Sequence, residues 1–293
     1  MIGRRGIALL AGAVLGLSLA ACASDGEKNV DIVGVGPNTI TVPAGRFVMG
    51  SSAEQREYAY QLDEIAQGNP RSRAQQIYAG ELDPVWEEVP AFEIMRTPVT
   101  NAQYAEFVEA TGHPAPDVDR ETWLSYRLRL PFEETRRFAW TDGAPPEGRG
   151  DHPVVLVDYE DVQAFAAWLS AETGRTWRLP SEAEWEKAMR GTDGRTYPWG
   201  NAWDPALLNT EDDGGPGDTV AVGSYPDGAS PFGALDPAGQ VAEWTATEQS
   251  SGRHFVKGGA WNDLGCGICR PSARDSRPDR QRNVDLGFRL VAE

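Results

Sequence analysis

The chain has 293 residues and is 40% hydrophobic with ten Trp, enough apolar material for a sizeable core, so global disorder is excluded. Against 27 basic side chains stand 44 acidic ones, and the net charge of −17 argues against nucleic-acid and anionic-membrane surfaces, which need clustered Lys and Arg. Thirty-two Gly and twenty-one Pro point to a loop-rich architecture, rich in the oxygen donors that divalent cations take.

The first residues read as a targeting segment. Arg4 and Arg5 precede an apolar run over 7–19 that is too short to span a bilayer comfortably. Leu-Ala-Ala-Cys at 19–22 reads as a lipobox, so residues 1–22 are expected to be a lipoprotein signal peptide with lipid attached to Cys22. The same Arg4-Arg5 pair has a weak likeness to a twin-arginine signal, and the export route stays open. Ala23 after the cysteine favours the outer membrane in a Gram-negative cell. The mature chain is thus expected at the periplasm or cell surface, held to the membrane through Cys22. Residues 23–38 are polar and small, as a flexible tether would be, and the domain is expected over 39–293.

Apolar and polar residues alternate around a turn over 40–50, which predicts a hairpin. Residues 53–88 are polar and helix-friendly and are expected to be an insertion packed on the outside. Over 99–108, Thr100 with Gln103 forms a capping-box pattern, and Gly112 supplies a stop. Residues 113–150 read as irregular. A second helix is predicted over 159–172, with Val162, Phe165 and Trp168 on one face and Gly174 at its end. A third starts at Ser181, with Glu184 completing its capping box, and ends before Gly191. Beyond it Gly, Pro and Trp recur every few residues, without a long periodic element.

Several separated strings follow one another in a distinctive order. They are Pro-Val-Thr-Asn-Ala-Gln-Tyr at 98–104, Pro-Val-Val-Leu-Val at 153–157 and Arg-Leu-Pro-Ser-Glu-Ala-Glu-Trp-Glu at 178–186. Tyr-Pro-Trp-Gly-Asn at 197–201, Gly-Gln-Val-Ala-Glu-Trp-Thr at 239–245, Lys-Gly-Gly-Ala-Trp at 257–261 and Leu-Gly-Phe-Arg at 286–289 continue the series. Together they resemble the formylglycine-generating enzyme (sulfatase-modifying factor) family over residues 41–292. The resemblance implies a single compact, loop-rich α+β domain related to C-type-lectin-like folds.

In that family two cysteines, spaced further apart than the pair found here, bind copper(I) as thiolates, and soft thiolates suit that ion. Aligned on the final Gly-Phe-Arg, Cys266 matches the second of them, and Arg270 and Arg274 match the arginines after it. The first cysteine's place falls on Trp261, or on Asp263 if the loop is shorter, and Cys269 lies on the other side of Cys266. Three readings stay open for Cys266 and Cys269: a disulfide, a redox pair, or a shifted copper(I) site. Trp261, Arg270 and Arg274 surround the place of the family groove, where arginine suits a peptide carboxylate and also serves to stitch loops together.

The resemblance also implies structural calcium held by Asp236, Glu243 and the carbonyls of Gly239 and Val241, hard oxygen donors on a Gly-bent loop. A turn in which Glu243 bonds loop amides is the alternative. A second calcium site would use Asn209, the carbonyl of Thr210 and a carboxylate from the next loop, Asp213 or Asp212, where a solvated acidic turn competes. His113, His152 and His254 are scattered without metal-ligand spacing, and no Gly-x-Ser-x-Gly elbow or phosphate-binding Gly loop is present.

Two functions follow from different classes. One is a lipid-anchored accessory or binding protein for an unknown protein or peptide, lacking the two-cysteine oxidase site. The other is a copper- or iron-dependent oxidase that modifies an exported protein or peptide, as in formylglycine generation on a sulfatase-type substrate.

Overall fold

The computed structural model describes residues 37–293. The signal peptide, Cys22 and all but the last two residues of the tether lie outside them. Strands β1 (Thr39–Val42) and β2 (Gly45–Met49) are consecutive yet enter different sheets. β2 pairs antiparallel with β3 (Val85–Val89), and β1 pairs antiparallel with β4 (Phe92–Met95). The expected hairpin over 40–50 is therefore two strands that part company. Lys187 Nζ sits at the turn and donates to the carbonyls of Pro43 (2.7 Å) and Gly45 (2.9 Å). Pro43 has no N–H to offer a ladder, and Gly45 adopts φ +134°, which turns β2 away.

Between β2 and β3 lie α1 (Ala53–Gln67) and the short α2 (Arg71–Ala74). Ser52 and Gln55 cap α1 reciprocally, and Gly68 ends it in the left-handed region. Three predicted helices form where their caps place them. α3 (Asn101–Thr111) starts at the Thr100–Gln103 box and ends at Gly112. After α4 (Arg120–Ser125) and α5 (Phe132–Thr135), two short helices in the stretch expected to be irregular, α6 (Tyr159–Thr173) runs from Asp158 to Gly174. The two-residue β5 (Trp177–Arg178) precedes α7 (Glu182–Arg190), capped by Ser181 and Glu184.

The C-terminal third carries structure that sequence periodicity did not reveal. β6 (Ala242–Ser250) and β7 (Arg253–Lys257) form a twisted antiparallel pair with register shifts. β8 (Asp275–Pro278) lies antiparallel on the far side of β7, and β9 (Leu286–Gly287) lies parallel to β6. β10 (Val291–Ala292) inserts between β4 and β5, closing the sheet order β1-β4-β10-β5. The whole is an α+β domain. Among the described residues no helix is long and apolar enough to cross a membrane.

The main core joins α3, α6 and the C-terminal strands. Tyr104 stacks on Phe165 at 5.5 Å, and both meet Phe288 edge-on. Pairs of this kind add about 0.5–1.5 kcal/mol each beyond their area burial. A second cluster packs Trp185 and Met189 of α7 against Phe47, Phe92 and Ile94. The two clusters hold β6 and the loop after β7 against α7, and the candidate site lies there.

Candidate functional site

β7 ends at Lys257, and the chain then turns through Gly258 and Gly259 into the cysteine-bearing loop. A Cβ on Gly259 would stand 2.6 Å from Cys269 Sγ and 3.1 Å from Asp263 Oδ2, so only glycine lets the loop close here. Cys266 and Cys269 are bonded to each other across one 3₁₀ turn (Gly267–Cys269), and both are buried. The structure holds the pair as a disulfide, the form that a structural bridge and an oxidised redox pair share. Neither sulfur is left as a thiolate.

The insertion over 53–88 was expected to pack on the outside; it packs on this loop instead. Asp63 of α1 accepts from the Gly267 N–H at 3.0 Å and from Tyr78 Oη at 2.6 Å. Glu81 meets Arg270 as a bidentate pair at 2.6 and 3.1 Å, both side chains being fully buried, and Ser51 Oγ donates to the same carboxylate. Tyr78 lies under the Arg270 guanidinium at 4.8 Å. The physical reason is charge: a buried guanidinium needs a counter-charge, and the insertion supplies it. Arg270 therefore stitches loops and is not free for a peptide carboxylate. Arg274 also pairs bidentately, with Glu182 at 2.8 Å through both nitrogens, and packs over Phe255, but it retains an edge on the cleft.

Trp261, in the place of the missing first cysteine, is buried as core. Its Nε1 donates to the Val284 carbonyl at 3.1 Å, and its ring stacks on Phe138. Asp263 lies beside it. Its Oδ2 accepts from the Ala260 N–H at 2.8 Å, and its own backbone bonds Glu211 and Ala260.

The calcium candidates occupy adjoining straps. Asn209 bridges Gly239, and its carbonyl accepts from the Gln240 N–H at 2.9 Å. Glu243 does not fit a calcium ligand as it stands. Arg289 donates to both its oxygens at 2.7 Å, and Trp185 Nε1 adds a third bond at 2.7 Å. The same guanidinium bonds the carbonyls of Leu235 and Asp236 at 3.0 Å. The Val241 side chain is buried in the cluster that holds Trp261, and Asp236 Oδ2 accepts from the Gly223 N–H at 2.7 Å. Burial pushes the Asp236 carboxyl up to about 6. On the second strap Asn209 Oδ1 is buried without a partner, which does suit a cation. The Thr210 carbonyl crowds Gly215, Asp213 is exposed, and Asp212 accepts from the Gly265 N–H. Asp218, which lies on the same loop, is neutralised by Arg149. Among the described residues no three His, Cys, Asp or Glu side chains converge closely enough to hold a metal.

A cleft of about 350 Å³ opens between the insertion and the C-terminal loop, with Asp63, Arg71, Tyr78, Arg129, Asp263 and Arg274 among its walls. Sequence reasoning missed Asp63, Glu81, Arg129 and Asp285 here. The first three lie in segments read as insertion or irregular stretch and Asp285 directly before the Leu-Gly-Phe-Arg string, and only folding brings them to the cysteine loop.

Residues 28–293 match the Sulfatase-modifying factor enzyme 1-like domain. The chain is 35% identical to the formylglycine-generating enzyme of Mycobacterium tuberculosis, over 80% of this chain and 98% of that protein. It is 32% identical to the hercynine oxygenase of Mycolicibacterium smegmatis over 88% of this chain, but spans only 62% of that protein's length. A mouse protein named inactive C-alpha-formylglycine-generating enzyme 2 is 30% identical, over 87% of this chain and 86% of its own. The solved structure of PvdO from Pseudomonas aeruginosa superposes with a TM-score of 0.65 at 26% identity, covering 88% of this chain and 94% of PvdO. The chain belongs to the sulfatase-modifying factor, or formylglycine-generating enzyme, family.

Proposed function

We propose that this chain is a binding member of the family, exported and anchored through lipid on Cys22, which offers the cleft to a protein or peptide partner and does not run a two-thiolate copper oxidation. One observation carries the reading: Cys266 and Cys269 are bonded to each other and buried beneath the insertion, while Trp261 packs as core in the first cysteine's place. Copper(I) needs two free thiolates, and this donor set does not fit it. The mouse relative named inactive is a precedent within the family for a chain without the oxidase activity.

The test is a copper(I) titration of the purified chain together with assay of a Cys-x-Pro-x-Arg peptide for oxidation. The expected result is no stoichiometric copper(I) binding and no oxidised peptide. Tight copper(I) binding that disappears in Cys266→Ser would replace this reading with the oxidase one, which draws on the likeness to oxygenases and formylglycine-generating enzymes.

We further propose a structural calcium ion at the Asn209 strap, supported by the orphaned Asn209 Oδ1. Thermal unfolding with calcium and with EDTA checks it. An unchanged Tm would remove the ion from the account.

A further inference from the structure

Behind the cleft lies a niche of about 40 Å³ that shares Asp263, Ile268 and Asp275 with it, so the two volumes meet at those side chains. Its remaining wall includes Gly258, Gly259, Ala260 and Ala273, residues too small to fill it, together with Arg277 and Asp285. A cavity of roughly 10–15 Å³ is enough to hold one water molecule. The niche thus has room for a small polar group such as an ammonium.

Its charges are unbalanced: Arg277, ion-paired with Asp275, is also the cation that acts on Asp263 and Asp285, so one guanidinium stands against three carboxylates. Asp285 takes a hydrogen bond from the Asn262 side chain, its carbonyl accepts from the Ala242 N–H at 2.8 Å, and its Oδ1 is buried with no hydrogen-bond partner. A buried carboxylate oxygen with no donor is costly, and the orphaned Asp285 Oδ1 beside the Asp263 carboxylate, both on the wall of one small volume, calls for a ligand that donates. Burial raises both carboxyls, Asp263 to about 7 with repulsion from Asp285 added, and the single guanidinium of Arg277 does not offset it. A metal ion is the weaker occupant: no set of three ligating side chains converges among the described residues.

We propose that this niche takes the primary ammonium group of a peptide, either a lysine side chain or a free N-terminus, with the peptide body lying in the cleft. The ammonium donates to Asp263 and Asp285. Arg129 and Arg71, which have no ion-pair partner among the described residues, stand on the cleft walls for carbonyl or carboxylate groups of the same peptide. This deepens, and rests on, the reading of the cleft as a recognition site.

Two peptides separate the sources: acetyl-Gly-Ala-Lys-Ala-amide carries only a side-chain amine, and Gly-Ala-Ala-Ala-amide only an N-terminal one. Calorimetric titration of the full chain is expected to show binding of one of them. Asp285→Asn and Asp263→Asn, which preserve shape, are each expected to weaken it about tenfold or more. Trimethylation of the amine, which removes every N–H donor, is expected to do the same. Glu57→Gln, on the exposed face of α1, controls for the general attraction of an acidic protein and is expected to change nothing. Thermal unfolding of each variant establishes that it is folded. Binding of neither peptide, equal binding by the Asn variants, or equal binding of the trimethylated peptide would each overturn the proposal. A chain that binds copper(I) yet still discriminates the amine through Asp285 would sink the oxidase-free reading and leave the niche standing.

Discussion

Around Glu243 the acidic side chains of the motif strings are each paired with a cation, whereas around Asp285 one guanidinium, Arg277, stands against three carboxylates. Glu243 is saturated by Arg289 and Trp185. Beside it Lys257 and Arg274 share Glu182, and Arg190 closes on Glu186 at 2.7 Å. Burial pushes the Glu182 carboxyl up, but Lys257 and Arg274 outweigh it and hold the group below its ordinary range. The motif residues around 178–186 and 286–289 therefore form a closed ionic lattice that supports the fold. Asp263 and Asp285 sit close to that lattice, and their carboxyls are raised instead of lowered. A charge that is buried and paired belongs to the scaffold, and one that is buried and unpaired marks a place for something else.

The comparison can be broken most severely at the lattice. Glu243→Ala strands Arg289, which has no exposed surface, and is expected to cost about 3–5 kcal/mol in denaturant unfolding. A loss under about 1 kcal/mol would mean that the lattice is not what holds β6 to the C-terminal strands. Glu81→Ala strands Arg270 in the same way. It is expected to cost about 3 kcal/mol and to speed amide exchange over residues 260–274. Unchanged exchange there would return the insertion to the outside of the domain.

At the unpaired pair the sign reverses. The folded-state value of Asp263 lies near 7, above its unfolded value of about 3.9, so between those pH values the folded state holds more protons than the unfolded one. Its contribution therefore falls as pH rises through that window, by up to about 1.4 kcal/mol per pH unit. Asp263→Asn is expected to raise stability at pH 8 relative to the parent and to remove that part of the slope. A variant less stable than the parent at pH 8 would show the carboxylate to be paired after all. The smallest effect is expected at a local cap: Ser181→Ala removes the acceptor for the Glu184 N–H at 3.2 Å and is expected to cost about 1 kcal/mol.

The same contrast explains what was legible in the sequence. Capping boxes are local, so Thr100–Gln103 and Ser181–Glu184 announced α3 and α7 almost to the residue. β6 was hidden because it begins buried and ends exposed, so its polar second half, Thr245 to Ser250, breaks any alternation. The hairpin over 40–50 misled because the pairing partners of β1 and β2 lie far along the chain. At the site, Cys266 and Arg270 could be seen, but their partners could not. Nothing in the residues around Glu81 signals that it neutralises Arg270, and nothing before Leu286 signals that Asp285 faces Asp263. Those facts are tertiary.

The account stands on the state of two sulfurs. Alkylation of the intact chain followed by mass spectrometry of the peptide carrying Cys266 and Cys269 reads it directly. The account predicts a peptide that is unmodified until a reductant and a denaturant are added, and alkylated at both positions afterwards. Alkylation at Cys266 in the folded, unreduced chain would contradict it and restore a thiolate to the family's reactive position.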